Sequence, residues 1–190
     1  GGGGGGGGNS TRNVTKVLLP DSVLPNGGRC LDGTPSGFYY QPALPSGNLQ
    51  TTWVIDMQGG GSCETYEDCH HRATTALGSS KYWAEVQSCT FCDGSPTTNP
   101  DFAAAHSVHI PYCSGDVHGG QQKTATEATF NLYFSGHLNV ALIMDQLISH
   151  YGIAEATHVL VTGDSAGGLG TFINVDYIAS RLPNATVKGV

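Results

Sequence analysis

Apolar positions along this chain fall into short blocks whose spacing changes from strand-like to helical and back. Lys16-Val17-Leu18-Leu19 and Gly37-Phe38-Tyr39-Tyr40 read as two short strands separated by turns rich in proline and glycine. Thr52-Trp53-Val54-Ile55-Asp56-Met57 is a firmer strand, apolar almost without interruption, as a strand covered on both faces must be. Glu64 to Leu77 and Lys81 to Gln87 read as helices, and Ser88 to Asp101 as loop, marked by Asp93-Gly94, Pro96 and Asn99-Pro100. Ser107 to Ile110 is the next strand, closed by Pro111 and followed by a polar, glycine-rich loop from Ser114 to Thr129. From Gly136 to Tyr151 the spacing is helical, with Val140, Ile143, Met144, Leu147 and Tyr151 on one face and Gly152 as the stop. His158 to Val161 predicts a strand, and Phe172, Val175, Ala179 and Leu182 predict a helix that ends at Pro183. Thr186 then opens a last strand. Strands alternating with helices predict an α/β fold, a largely parallel sheet flanked by helices. Residues 1–13 begin with eight glycines and read as a low-complexity leader, and residues 14–190 as part of a single domain.

Between the strand at His158 and the helix at Phe172 stands Thr162-Gly163-Asp164-Ser165-Ala166-Gly167-Gly168-Leu169-Gly170. A strand, a Gly-x-Ser-x-Gly turn and a helix form the nucleophile elbow of α/β-hydrolases. The turn is tight, so Gly163 and Gly167 flank the serine where larger side chains would clash. Ser165 is the candidate nucleophile, raised above the sheet edge at a helix N-terminus that favours developing negative charge. The Ala166 N–H, next along, is one candidate oxyanion donor. Gly59-Gly60-Gly61 follows the strand at Met57 and is the candidate second donor loop, because glycine lets a backbone approach a substrate oxygen closely.

Composition bounds the chemistry. The formal net charge is −7 with 8 Lys+Arg and no basic cluster, which argues against nucleic acid or an anionic membrane as partner. No apolar run approaches the ~20 residues of a membrane span. Six cysteines and three Asn-x-Ser/Thr sites, at Asn9, Asn13 and Asn184, suggest an oxidising, secretory route. Zinc is the competing reading of the cysteines, through Cys89-x-x-Cys92 with Cys69-His70-His71 nearby. A structural zinc site takes two such ligand pairs, and one is present, so no metal is expected. All eight histidines precede Ser165, whereas an α/β-hydrolase triad runs Ser, then Asp or Glu, then His. The base and its orienting acid are therefore expected downstream of Val190, and these 190 residues alone are expected to be inactive. His118, near Asp116 in a glycine-rich loop, is read as a solvated position. Ala104-Ala105-His106 with Gly163-Asp164-Ser165 would suit the His-Asp-Ser order of chymotrypsin-like proteases, but those are two β-barrels with the serine in a loop.

The chain resembles the pectin acetylesterase/Notum family of carboxylesterases from about Cys30 to Val190. The matching stretches are Cys30 to Tyr39, Gly59-Gly60-Gly61-Ser62-Cys63, Cys69-x-x-Arg72, Leu77-Gly78-Ser79-Ser80 and Asn99-Pro100-Asp101-Phe102. Tyr112-Cys113-Ser114-Gly115-Asp116, Gly163 to Gly168 and Asn174-Val175-Asp176 complete the set. The resemblance implies an α/β-hydrolase fold, no cofactor, and hydrolysis of O-acyl esters on extracellular glycans such as pectin or on lipidated proteins. It implies Ser165 as nucleophile, backbone donors from Gly60, Gly61 and Ala166, and disulfides Cys30–Cys113 and Cys63–Cys69. Cys89 and Cys92 are left to each other. Gln58 and Gly61-Ser62 depart from the family, which usually has Glu before the glycines and Trp beside them; both changes bear on the acyl pocket. The expectation is a secreted serine esterase acting on O-acetyl groups. The contrasting one is a secreted glycan-binding relative that kept the fold and lost the triad.

Overall fold

The computed structural model describes residues 14–87 and 93–190. Seven strands form one sheet: β1 (Val14–Leu18), β2 (Gly37–Gln41), β3 (Thr52–Met57), β4 (Val86–Gln87), β5 (His106–Ile110), β6 (His158–Gly163) and β7 (Thr186–Gly189), in the order β4-β1-β2-β5-β3-β6-β7. Among the described residues three α-helices accompany it: α1 (Tyr66–Arg72), α2 (Gly136–Gln146) and α3 (Ala166–Arg181). The half that carries the serine turn is parallel throughout, with β3 between β5 and β6 and β7 outside β6. The other half is antiparallel: β4 against β1, β1 against β2, and β2 against β5. Only a single 3₁₀ segment, Asp21–Asn26, lies between β1 and β2, with no crossover helix to carry the chain back, so the strand returns reversed.

The centre of the sheet is apolar on the face that the helices cover. Trp53, Ile55 and Met57 of β3 join Val108, Ile110, Val159 and Val161 from its two neighbours. Against them pack Val140, Ile143 and Met144 of α2, Leu147 beyond its end, and Ile178 of α3 with Leu182 just past it, all 3% exposed or less. Burying side chains of this kind contributes roughly 1.5–3 kcal/mol each. The helical spacing from Gly136 to Tyr151 is realised as α2 followed by a π turn, Leu147–Tyr151, and Gly152 stops it at φ 82°.

Three local expectations are corrected. Lys81 to Gln87 is not a helix: Ser80–Tyr82 forms one 3₁₀ turn, and Val86–Gln87 pairs with Thr15 and Val14 as the edge strand β4. Trp83 is buried there, with Nε1 donating to the Ala76 carbonyl at 3.0 Å. The helix read from Glu64 to Leu77 is shorter, because the Thr74 and Thr75 hydroxyls bond the His71 and Arg72 carbonyls and turn the chain away. On α3, Phe172 faces outward and is 84% exposed; Thr171, Asn174 and Ile178 form the inner face instead.

Cys30–Cys113 and Cys63–Cys69 are disulfide-bonded, with Cα atoms 4.9 and 5.1 Å apart. Cys69 is thereby removed from the ligands a zinc site would need. Cys89, Cys92, Asn9 and Asn13 lie outside the described residues. Asn184 is exposed in the turn before β7. Among the described residues no helix is long and apolar enough to cross a membrane.

Candidate active site

Ser165 stands between the end of β6 and the first turn of α3 with φ 50° and ψ −118°, a conformation a non-glycine residue rarely adopts. Packing around it leaves no alternative. A Cβ on Gly163 would come within 2.5 Å of the Gly167 carbonyl, and one on Gly167 within 1.9 Å of the Met57 carbonyl oxygen. Both glycines are required by close approach of backbone to backbone, as the motif suggests. The Gly167 N–H donates to the Asp164 carbonyl at 2.7 Å and Leu169 N–H to the Ser165 carbonyl at 3.1 Å, which fixes the turn. Ser165 itself is solvent-exposed, and Ala166 opens α3 directly behind it.

The glycine loop lies beside this turn because Met57 pairs with Gly163 at matching ends of adjacent parallel strands. The loop is held at almost every other group. Gln58 N–H donates to the Ile110 carbonyl at 3.0 Å, and its side-chain oxygen accepts the Tyr112 N–H at 3.0 Å. A carboxylate at position 58 would accept the same bond. The Gln58 carbonyl accepts from His118 Nε2 at 3.0 Å. Gly59 N–H donates to Asp164 Oδ1 at 3.2 Å and joins the loop to the serine turn. Beyond Gly60 and Gly61, at φ 145° and 71°, Cys63 N–H reaches the Gly115 carbonyl at 3.1 Å and the Cys63–Cys69 bond ties the loop to α1. Among the described residues, the N–H groups of Gly60 and Gly61 have no acceptor within the chain.

The layer behind the loop was not legible in the sequence as support. His118 is corrected from a solvated position: it is 2% exposed, adopts φ 58°, and lies tilted against Tyr112 with ring centroids 4.7 Å apart. Burial holds its imidazole below the usual pKa, so it is neutral, with Nε2–H spent on Gln58. Asn174 on α3 donates to the His118 and Gly170 carbonyls at 2.9 and 2.8 Å and accepts from His137 Nδ1 at 2.7 Å. Burial pushes the Tyr112 phenol up to about 12, against the Val117 N–H it accepts at 2.7 Å. Asp116 is also raised by burial, although the Ser114 hydroxyl and the Gly136 N–H donate to it at 2.6 and 2.9 Å. His106 and His158 sit at the other end of the strands, level with Trp53 and Thr52, about 20 Å of strand away from the serine turn. His109 bonds Asp56 at 2.7 Å within the sheet.

A strained serine between two obligatory glycines, beside a loop with free N–H groups, is chemistry with known counterparts. The family model described as pectinacetylesterase matches residues 9–190. The chain belongs to the pectinacetylesterase family. Pectin acetylesterase 4 of Arabidopsis thaliana is 37% identical over 180 residues, covering 94% of this chain and 43% of that protein. The human palmitoleoyl-protein carboxylesterase NOTUM is 33% identical over 189 residues, covering 95% of this chain and 37% of that protein. Among solved structures, the Wnt deacylase Notum from Drosophila matches with a TM-score of 0.82 at 27% identity, over 94% of this chain and 52% of its own. This chain thus spans about half or less of the length of the family members it matches, and its fold is that of Notum, an α/β-hydrolase-like sheet. By name these relatives are a pectin acetylesterase and a palmitoleoyl-protein carboxylesterase, both ester hydrolases.

Proposed function

We propose that this protein is a serine carboxylesterase that removes short acyl groups, acetyl above all, from an extracellular polysaccharide such as pectin. The observation that carries the reading is the strained, exposed Ser165 beside the unpaired N–H groups of Gly60 and Gly61. Ser165 Oγ attacks the ester carbonyl, and Gly60, Gly61 and Ala166 N–H groups stabilise the oxyanion in place of water. A histidine oriented by a carboxylate, both from outside these residues, takes the Ser165 proton and hands it to the leaving alcohol. Water then attacks the acyl-serine, and the same histidine returns a proton to Ser165. The two disulfides and the exposed Asn184 support a secretory, extracellular location.

The preference for acetyl follows from the loop. A long acyl chain gains ~0.8 kcal/mol per buried CH₂ only where an apolar wall receives it, and Gly61-Ser62 supplies none. The likeness to Notum favours a second reading, removal of a longer acyl group from a protein. In the full-length protein, Ser165→Ala should abolish aryl acetate turnover and fluorophosphonate labelling, a loss of ~10⁶ in kcat. Labelling retained in that variant would refute the nucleophile. A kcat/KM series over acetyl, butyryl and octanoyl esters should fall with chain length; a rise would favour the protein deacylase.

A further inference from the structure

Arg72, the last residue of α1, takes no part in the chemistry above, yet its guanidinium lies directly against the glycine loop. Nη2 donates to the Gly60 carbonyl at 2.8 Å and to the Ser62 carbonyl at 3.3 Å. Nε and Nη1 are buried and, among the described residues, have no hydrogen-bond partner. The guanidinium carbon stands 5.7 Å from the centroid of the Tyr112 ring, whose face offsets part of the charge's desolvation. Burying a cation with two of its nitrogens unsatisfied costs free energy. Surface exposure would avoid that cost, so what the residue holds is the informative part.

It holds the peptide between Gly60 and Gly61. In a trans peptide the carbonyl of one residue and the N–H of the next lie in one plane and point in opposite directions, and no described peptide is cis. Fixing the Gly60 oxygen on Arg72 therefore fixes the direction of the Gly61 N–H, away from Arg72. Both flanking residues are glycines at positive φ, the residue type with least resistance to rotating a peptide plane. A rotated plane would present a carbonyl oxygen where the oxyanion needs a donor. The remaining anchors, at Gln58, Gly59 and Cys63, lie on either side of this peptide and leave it to Arg72.

We propose that Arg72 is a positioning residue that locks the Gly60–Gly61 peptide with the Gly61 N–H aimed at the oxyanion. The proposal rests on the esterase reading of Ser165 and its loop. Its test uses the full-length protein with Arg72→Met, assayed on an aryl acetate, with thermal melting and affinity for a boronate that mimics the oxyanion. The expected result is a kcat lower by ~10²–10³, the typical loss of one oxyanion donor, with KM unchanged and boronate affinity falling in step. Millimolar guanidinium ion should restore part of the kcat, which a purely structural loss would not allow. Wild-type kcat, or a loss that tracks melting temperature without rescue, would overturn the proposal. Should Arg72→Met not fold, Arg72→Gln carries the same test, since its amide can reach one carbonyl at most: kcat lowered at constant KM supports the role, and wild-type kcat or a change in KM alone refutes it. Ser165→Ala separates the two levels. Turnover retained by that variant removes the esterase reading itself, whereas an inactive Ser165→Ala beside an unimpaired Arg72→Met removes only the positioning role.

Discussion

Gly167 and Gly168 are neighbours in the first turn of α3, and replacing each by alanine should have opposite consequences. On Gly167 a Cβ would lie 1.9 Å from the Met57 carbonyl oxygen, at least 1.1 Å inside the 3.0 Å that real Cβ contacts respect. The obstacle is the backbone at the end of β3, an interior strand that cannot rotate aside, so α3 and the serine turn must move instead. Overpacking costs typically ~1–3 kcal/mol, and a clash with backbone belongs at or above the upper end. At roughly 2–4 °C per kcal/mol for a chain of this size, the melting temperature should fall by about 6–12 °C. Displacing Ser165 by about 1 Å should also slow fluorophosphonate labelling by ~10²-fold. On Gly168 the nearest atom to a Cβ is the Gly163 oxygen at 3.3 Å, a contact a small shift relieves. There the ~1 kcal/mol that alanine gains over glycine in a helix roughly cancels the crowding. Gly168→Ala should melt within a few degrees of the parent and label at a similar rate. Equal behaviour of the two variants in labelling and melting would refute the steric account of the elbow.

The two disulfides should separate stability from activity. Cys30–Cys113 spans 83 residues, and its removal as Cys30→Ser/Cys113→Ser should cost about 4.5 kcal/mol in chain entropy, seen as a large fall in melting temperature, with kcat per folded molecule preserved. Cys63–Cys69 spans 6 residues, worth only about 2 kcal/mol, yet Cys63→Ser/Cys69→Ser frees the glycine loop and should lower kcat more than stability. His118 should make stability depend on pH. Its imidazole pKa is lowered by burial in the fold, so its stabilising contribution is complete above about 6.5 and declines as pH falls toward the folded-state value. Asp116, raised by burial, acts in the opposite sense at lower pH, so the measurement is a difference. Urea midpoints from pH 8 to 5 should fall less steeply in His118→Gln, which can still donate to Gln58, than in the parent; identical slopes would refute the assignment.

The serine turn was legible because its residue pattern is local, although the Met57 carbonyl that makes Gly167 obligatory comes from β3. Two glycines at fixed offsets, a strand before and a helix after are what the sequence displays of it. The glycine loop was legible for a related reason, since parallel neighbours deliver both loops to one edge. Most of what failed depended on partners remote in sequence. Val86 and Gln87 become a strand only because β1 offers them an open edge, and Trp83 and Val86 carry a helix-like spacing that conceals it. Phe172 shares the apolar spacing of Val175 and Leu182, and spacing alone does not say where the stripe is centred. His118 is buried by its bond to a carbonyl 60 residues away. Arg72 stood inside a matched motif, but only the folded loop reveals that its bonds go to main-chain oxygens.

The position of β3 also sets a timetable for synthesis. This strand is the first of the parallel set to leave the ribosome, and both of its neighbours come later: β5 begins at His106 and β6 at His158. At ~5–20 residues per second, the interval from Thr52 to its partner His158 is about 5–20 seconds. Until His106 is made, Trp53, Val54 and Ile55 have two unoccupied hydrogen-bonding edges, and the edge that faces β6 stays open for the whole interval. Cys30 likewise waits for Cys113, which follows β5 by only a few residues, so oxidation becomes possible just as the first parallel neighbour arrives. The chain order thus leaves β3 waiting longest of the parallel strands for its neighbours, and Cys30 cannot reach its partner until β5 has been made.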